Sequence, residues 1–191
     1  ILAALLCVTA LAADNQSGVY DLKLKEGVSG YTLGAQTADK TAVRTTPVDG
    51  KDVYVGAERI TLTGANVTGF NLVLVMKGDE TVITVDNLVY VDQQTDTVAF
   101  NIYPSKLEGN VTYHIYLSNS NGTGKQEIAT FRYYQAYTLG DVNGDKKIDI
   151  GDVLDLLQRI VGNLKFTDVQ EKAADVNLDE HIDVGDALDL L

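Results

Sequence analysis

Acidic and amide side chains recur at fixed intervals in two segments near the C-terminus. The segments, residues 141–152 and 175–186, align without a gap at an offset of 34 residues. In both copies loop positions 1, 3, 5, 9 and 12 are Asp or Asn, position 8 is Ile and position 11 is Gly. A hard cation such as Ca²⁺ takes six to eight oxygens, and a tight loop can present them from alternate side chains and from the carbonyl at position 7. The spacing therefore predicts one calcium site in each segment.

The same region carries most of the excess negative charge. The chain has 191 residues, with 15 Lys+Arg against 27 Asp+Glu and a formal net charge of −12. Residues 140–191 hold 13 of these acidic residues and only 5 basic ones, which a bound cation would neutralise. This charge argues against a nucleic-acid partner, because a polyanion would be repelled. One Cys excludes an intrachain disulfide and a Cys-based zinc site, and two distant His residues argue against a His-rich metal centre.

A helical pattern follows the first loop. Apolar residues recur there at intervals of three and four, the spacing of one helix face. The predicted face consists of Val153, Leu156, Leu157, Ile160 and Val161. Gly162 then provides a stop. The second copy begins alike after position 12, and its helix is expected to be truncated at Leu191.

Two further features of the sequence indicate which elements flank the loops. Residues 167–170 match the sequence pattern of a capping box, which predicts a short connecting helix through Ala174. The sequence ahead of each loop has no helical pattern, so no entering helix is predicted. Each unit is therefore expected to be a loop followed by one helix, which is half of an ordinary helix–loop–helix motif. Ile148 and Ile182, at position 8, are expected to point away from the ion and to pair the loops against a shared core.

Residues 140–191 resemble a type I dockerin, the duplicated calcium-loop module by which secreted polysaccharide-degrading proteins attach to cohesin modules. The stretches Gly-Asp-Val-Asn-Gly-Asp at 140–145 and Ala-Asp-Val-Asn-Leu-Asp at 174–179 carry the resemblance, with Asp rather than Glu at position 12. It implies two Ca²⁺ ions. The implied ligands of the first are Asp141, Asn143, Asp145, Lys147 through its carbonyl, Asp149 and Asp152. The implied ligands of the second are Asp175, Asn177, Asp179, His181 through its carbonyl, Asp183 and Asp186.

The loops depart from the family pattern at position 6, which is usually Gly. Here it is Lys146 in the first loop and Glu180 in the second. A non-Gly residue in a left-handed conformation costs about 1 kcal/mol, so a reduced calcium affinity is expected.

Positions 10 and 11 help to choose the cohesin partner in dockerins. Here they are Ile-Gly and Val-Gly rather than small hydroxyl residues, which implies a more apolar contact. The expected partner-binding residues are Ile150, Gly151, Leu157, Gln158, Arg159, Val184 and Gly185, with Leu191 as a further counterpart. Because the two copies match at these positions, docking in two orientations is expected. Burial in the core is the alternative for Ile150 and Val184, and for Leu157 packing in the core is favoured over direct contact.

The N-terminus has the pattern of a processing segment. Residues 1–11 are almost wholly apolar, and Ala10-Leu11-Ala12 forms a small-x-small cleavage pattern. The apolar run is shorter than the roughly 20 residues that cross a bilayer. Residues 1–12 are therefore predicted to be part of a secretory signal peptide, with the given chain beginning inside it. The prediction implies a secreted protein with no membrane span, whose mature form lacks Cys7; a buried N-terminal helix or strand is the alternative.

From Ser17 to Tyr137 the apolar pattern has a period of two. Eight strands are predicted: Val19–Leu24, Arg59–Thr63, Phe70–Met76, Thr81–Val85, Leu88–Val91, Thr97–Tyr103, Val111–Ser118 and Glu127–Tyr134. Turn residues separate them, and residues 25–52 are less regular, fitting an insertion or a further hairpin. The expected fold is an all-β immunoglobulin-like sandwich at 13–137 followed by a small all-α, duplicated EF-hand-like dockerin module at 138–191.

The role of the sandwich has several alternatives. The tyrosines at 133, 134 and 137 could form a carbohydrate platform, although strand tyrosines mostly pack, and His114 is expected to pack or to lie at the rim. Four glycosylation sequons, beginning at residues 15, 66, 110 and 121, are short patterns that often occur by chance. A glycosidase needs two placed acids, and nothing marks such a pair, so the sequence leaves open whether the chain is an enzyme. The sandwich is either a carbohydrate-binding module or small glycoside hydrolase tethered by the dockerin, with a polysaccharide as ligand, or a structural companion.

Overall fold

The computed structural model describes residues 17–64, 70, 72–86, 89–92 and 96–191. The predicted signal peptide at residues 1–12 lies outside the described residues, as do the sequon asparagines 15 and 66. Of the described residues, those up to Tyr134 form one compact unit, the β unit, and residues 135–191 form another, the loop–helix unit. No helix in these described ranges is long and apolar enough to cross a membrane.

In its described residues the β unit is built from twelve strands and one 3₁₀ turn. The strands are β1 Gly18–Leu24, β2 Tyr31–Gln36, β3 Ala42–Val43, β4 Thr45–Val48, β5 Lys51–Val55, β6 Arg59–Gly64, β7 Leu72–Lys77, β8 Glu80–Asp86, β9 Val89–Asp92, β10 Thr97–Asn101, β11 Thr112–Ser118 and β12 Gln126–Tyr134. The 3₁₀ turn is Pro104–Lys106. A seven-stranded sheet has the order β4-β5-β1-β12-β11-β7-β8, and a five-stranded sheet has the order β3-β2-β6-β10-β9. Neighbouring strands pair antiparallel throughout.

Each of the eight predicted segments overlaps a strand of the structure. The irregular stretch 25–52 contains β2, β3 and β4 and the start of β5, so the hairpin alternative describes it better than an insertion.

Both sheets contribute to one hydrophobic cluster. Val19 and Phe131 come from the seven-stranded sheet, and Ile60 and Phe100 come from the five-stranded sheet; all are at most 2% exposed. Alternation along each strand places such residues on one face. Each buried side chain of this size contributes about 1.5–3 kcal/mol, so the cluster holds the two sheets together.

Two of the three tyrosines that could have formed a sugar platform are packed instead, whereas Tyr137 is half-buried, with Lys172 Nζ 5.6 Å from the centre of its ring. Tyr133 belongs to the shared cluster, and burial raises the pKa of its hydroxyl. Tyr134 lies in a second cluster, edge-on to Tyr20. His114 hydrogen-bonds Glu127, which also pairs with Lys25. Burial raises the pKa of Glu127, but the hydrogen bonds from Lys25 and His114 outweigh it, so the pKa is lowered.

The described residues of the loop–helix unit form three α-helices around a small core. The helices are α1 Ile150–Ile160, α2 Asp168–Ala174 and α3 Val184–Asp189. A capping box at Thr167 and Gln170 opens α2, as predicted. Five residues form the buried core: Val142, Val153, Leu156, Ala174 and Ala187.

The predicted apolar face of α1 was only partly right. Val153, Leu156 and Ile160 meet the core, whereas Leu157 and Val161 are exposed. A core this small touches a narrow arc of the helix, so the outer residues of the predicted stripe point to solvent.

Candidate functional site

The carboxylates at loop position 12 are fully buried and are held by backbone N–H groups. Asp152 Oδ1 accepts from Asn143 N–H (3.1 Å), and its Oδ2 accepts from Asp149 N–H (2.9 Å). Asp186 is held in the same way by two N–H groups at the start of its loop and by one at position 9. Both side chains are 0% exposed. Each loop is therefore closed onto the first turn of its helix by one buried acid.

The acid at position 9 caps the helix. Asp149 and Asp183 are the N-caps of α1 and α3, and each accepts from the Gly N–H at position 11. Together with position 12 they form reciprocal capping boxes. A carboxylate at a helix N-terminus is also favoured by the helix dipole. The Asp-x-x-Asp spacing is itself a capping signal, but both acids were predicted only as ligands of the cation.

Positions 1, 3 and 5 accept hydrogen bonds from the loop backbone, and the pattern repeats between copies. Asp145 N–H donates to Asn143 Oδ1 (2.8 Å), and Lys147 N–H donates to Asp145 Oδ1 (2.9 Å). The equivalent bonds in the second loop are 3.0 Å and 2.9 Å long. At position 1 of each loop, Oδ2 accepts from the N–H at position 6. These bonds turn the side-chain oxygens of the loop inward and leave lone pairs free.

The oxygen donors of the first loop suit a hard cation. Asp141 Oδ1 is buried and has no hydrogen-bond partner, which is costly unless positive charge faces it. In the described part of the chain, no group of three or more His, Cys, Asp or Glu side chains is arranged to hold a metal by itself. A site here must therefore also use the amide oxygen of Asn143 and a backbone carbonyl. Carboxylate, amide and carbonyl oxygens are the donors that Ca²⁺ takes, so the residues present fit it.

Four loop residues have left-handed backbones. Position 6 is left-handed at both Lys146 (φ 71°) and Glu180 (φ 67°), where the family pattern predicted the need for Gly. Position 4 is Gly144 (φ 77°) in the first loop but Leu178 (φ 60°) in the second. Because an L-residue pays about 1–2 kcal/mol for this conformation, the second loop carries an additional strained position.

Replacing Leu178 by Gly is expected to stabilise the loop–helix unit by about 1 kcal/mol, because the left-handed penalty is partly offset by the entropy that Gly loses on folding. The reciprocal change Gly144→Leu is expected to destabilise it by about as much, since no atom lies within 4 Å of an added Cβ and only the backbone conformation matters. Thermal melting followed by helical circular dichroism measures both. Leu178→Ala is the matched control, because it removes the exposed side chain but keeps the Cβ. Equal stabilisation by Ala and Gly would contradict the backbone explanation.

The side chains at positions 7 and 8 differ between the loops. Ile182 packs against the small core, whereas Ile148 is 54% exposed, so the expected burial of both was wrong for Ile148. Lys147 and His181 are exposed, consistent with a position that offers its carbonyl. The pKa of His181 is raised, first by a hydrogen bond to the Asp179 carbonyl and then by nearby carboxylates.

The expected partner-binding residues lie on the outer faces of α1 and α3. Ile150 is 61% exposed and Val184 is 54% exposed, so the burial alternative is wrong for both. Leu157 and Gln158 are exposed, and Gly151 and Gly185 are half-buried. Arg159 is engaged within the unit, because its Nε and Nη2 donate to the Glu171 carboxylate at 2.7 Å and 3.2 Å. That pair raises the pKa of Arg159.

Two exposed leucines were not predicted from the sequence. Leu154 (53% exposed) and Leu188 (65% exposed) lie one turn after Ile150 and Val184. The exposed residues 150, 154 and 157 on α1 correspond to 184, 188 and 191 in the second copy at the same offset of 34. The sequence signal for these leucines was their spacing, because each follows the apolar residue at loop position 10 by four residues. The protein thus has two matching apolar stripes: stripe 1 (Ile150, Leu154, Leu157) and stripe 2 (Val184, Leu188, Leu191).

Comparison with known protein families finds a match for the region that contains both loops. A protein-family model described as the dockerin type I domain matches residues 139–191. The C-terminal region is therefore a dockerin type I domain, and the β-rich region ahead of it has no identified family. No curated protein and no solved structure matches the chain.

Proposed function

We propose that this protein is a secreted component of a cellulosome-like assembly that degrades polysaccharides, and that its dockerin attaches it to a cohesin-bearing scaffold in a calcium-dependent manner. The supporting observation is the internal duplication. Two loops repeat the same backbone hydrogen bonds, and each leads into a helix with the same exposed apolar stripe. We assign residues 1–12 to part of a signal peptide, 13–137 to the β module and 138–191 to the dockerin module.

Each loop, on this proposal, holds one Ca²⁺ in an EF-hand-like manner. The ligands in the first loop are Asp141, Asn143, Asp145, the Lys147 carbonyl, Asp149 and Asp152. The ligands in the second loop are Asp175, Asn177, Asp179, the His181 carbonyl, Asp183 and Asp186. When bound, the ion supplies a divalent charge that offsets the clustered carboxylates. The chain itself contributes the inward-turned oxygens and the buried acids that join loop to helix.

The two stripes form the proposed cohesin-docking surface. Exposed apolar residues aligned along one side of a helix are a common mark of a protein interface. Because the stripes are equivalent under the internal repeat, either can occupy the central position, which gives two docking orientations. Gly151 and Gly185 lie at the start of each stripe and belong to the proposed surface; an added Cβ at either would meet the position-9 carboxylate of its own loop at 3.0 Å.

The β module is proposed to be an immunoglobulin-like sandwich. Support comes from the antiparallel pairing of both sheets and from the single cluster to which both contribute.

A capture experiment tests the docking surface. Immobilised cohesin modules of several types are incubated with the full chain in Ca²⁺, using wild type, Ile150→Asp, Val184→Asp and the double variant. Each single variant is expected to retain capture within about threefold, because the other orientation remains available, and the double variant is expected to lose at least a hundredfold. A buried charge without a partner destabilises an interface by several kcal/mol, and 1.4 kcal/mol is a factor of ten.

Asn163→Asp is the matched control, because it places the same charge on an exposed residue of the loop–helix unit that lies outside both stripes and both loops. It is expected to be captured like wild type. Full capture of the double variant would reject this docking surface, and no capture of wild type by any cohesin would reject the proposed function.

A further inference from the structure

The described part of the β unit contains a largely buried arginine side chain that forms no ion pair there. Arg59, the first residue of β6, is 8% exposed. Its Nε is buried and has no hydrogen-bond partner, and no described carboxylate forms an ion pair with it. Buried charges in proteins are normally paired, because an unpaired one forfeits its hydration without compensation. The buried Nε–H has no acceptor among the described residues, and the terminal nitrogens of Arg59, which are not among the buried unpaired atoms, are open to an acceptor with negative charge.

Arg59 lies in a polar row across the five-stranded sheet. It is in register with Gln36 on β2 and with Asn101 on β10. The preceding register row, which contains Ile60 and Phe100, belongs to the core cluster. Since side chains alternate between the two faces of a strand, the polar row lies on the face turned away from that core. Gln36 Oε1 is also buried without a partner, so the row has an unused acceptor beside an unused donor.

The row continues into an exposed aromatic residue. Asn101 Nδ2 donates to the Tyr103 hydroxyl at 3.4 Å. Tyr103 is 47% exposed and has a left-handed backbone, with φ 43° and ψ 79°, directly before Pro104. A non-Gly residue in this conformation is strained, and such strain concentrates at binding sites. Lys106 Nζ lies 5.8 Å from the centre of the tyrosine ring, which brings a second cation to the same place.

These groups together define the chemistry of a ligand. A guanidinium beside amide groups fits a carboxylate, through charge-assisted hydrogen bonds. The exposed ring of Tyr103 offers an apolar plane for a sugar face. We propose that the row Gln36–Arg59–Asn101, with Tyr103 and Lys106, binds a carboxylate-bearing saccharide, a uronic acid residue.

Titration calorimetry on the full chain tests this site. The probe is a β-1,4-linked trisaccharide of glucuronic acid, and its methyl ester keeps the ring but removes the charge. Wild type is expected to bind the acid at least tenfold more tightly than the ester in the same calcium buffer. Arg59→Gln is expected to weaken binding of the acid at least tenfold. Arg132→Gln is the matched control, since Arg132 lies on the seven-stranded sheet and donates to Thr112 instead, and it should bind within twofold of wild type.

A second variant and two further ligands also test the proposal. If Arg59→Gln does not fold, Tyr103→Ala changes only an exposed residue and is expected to weaken binding of the acid at least fivefold. Acetate alone and a short poly-aspartate peptide are expected to bind much more weakly than the trisaccharide. Equal binding of the ester, equal binding of the peptide, unchanged binding by Tyr103→Ala, or no heat with the trisaccharide would each overturn the proposal.

Discussion

Excess chelator is expected to abolish most of the helical circular dichroism of this protein and, with it, all capture by cohesins. The loop–helix unit has a core of only five buried residues, while residues 140–191 hold 13 acidic and 5 basic residues. Without a divalent ion the carboxylates of each loop repel one another, and a core of this size supplies too little free energy to hold them together. Binding energy at the loops is then folding energy for the helices.

The β unit supplies an internal control for that experiment. Its larger core spans both sheets, so its own cooperative melting transition is expected to persist in chelator. Re-addition of Ca²⁺ should restore the helical signal, whereas Mg²⁺ should restore it poorly, because Mg²⁺ demands a tighter octahedral shell. Unchanged helicity and unchanged capture in chelator would contradict the proposed coupling between metal and fold.

The β unit and the loop–helix unit differ in how much of their structure could be predicted from the sequence. Strands such as β11 alternate regularly between core and surface, and the period-two pattern located them. Strands β2 and β4 were not predicted because Gly or Pro interrupts their pattern: β2 reads Tyr-Thr-Leu-Gly-Ala-Gln, and β4 carries Pro47. Their strand character comes from pairing with neighbours, which is tertiary information that a single sequence does not contain.

The duplicated loops could be located because their chemistry depends on short-range spacing. In a loop of twelve residues the spacing fixes which side chains can reach the loop backbone, and the predicted side chains at positions 1, 3, 5, 9 and 12 of the first loop accept hydrogen bonds from it. The outward faces of the helices could not be predicted equally well. Whether Leu157 meets the core or solvent depends on the small volume of that core, and the helical period alone does not report it.

Arg59 is an example of a candidate site residue that the sequence could not predict. In the sequence it reads as an ordinary charged residue at the start of a strand, and such residues are usually solvated. Its burial and its missing acceptor arise only when β2, β6 and β10 are set side by side. A site of this kind is defined by what is absent around a residue, and only the folded structure shows that.

Removal of the buried position-12 acids is expected to give the largest losses among single substitutions, and the second loop should suffer more. Asp152→Ala removes the acceptor of two backbone N–H groups, whereas Asp186→Ala removes the acceptor of three, from Val176 (2.8 Å), Asn177 (3.2 Å) and Asp183 (2.9 Å). A buried donor left unpaired costs about 1–3 kcal/mol. The expected losses are therefore about 3 kcal/mol for Asp152→Ala and about 4–5 kcal/mol for Asp186→Ala, before any loss of metal binding is added.

The measurement is the Ca²⁺ concentration at which half of the helical signal is recovered in the full chain. Since ligand binding and folding are linked, about 3 kcal/mol corresponds to a shift of about a hundredfold or more. Asp189→Ala is the matched control, because that acid is exposed at the end of α3, and it should shift the midpoint by less than threefold. Asp152→Asn keeps one oxygen acceptor but loses the charge. If it behaved like wild type, the buried acid would act only as a hydrogen-bond acceptor, and its proposed role as a calcium ligand would be wrong.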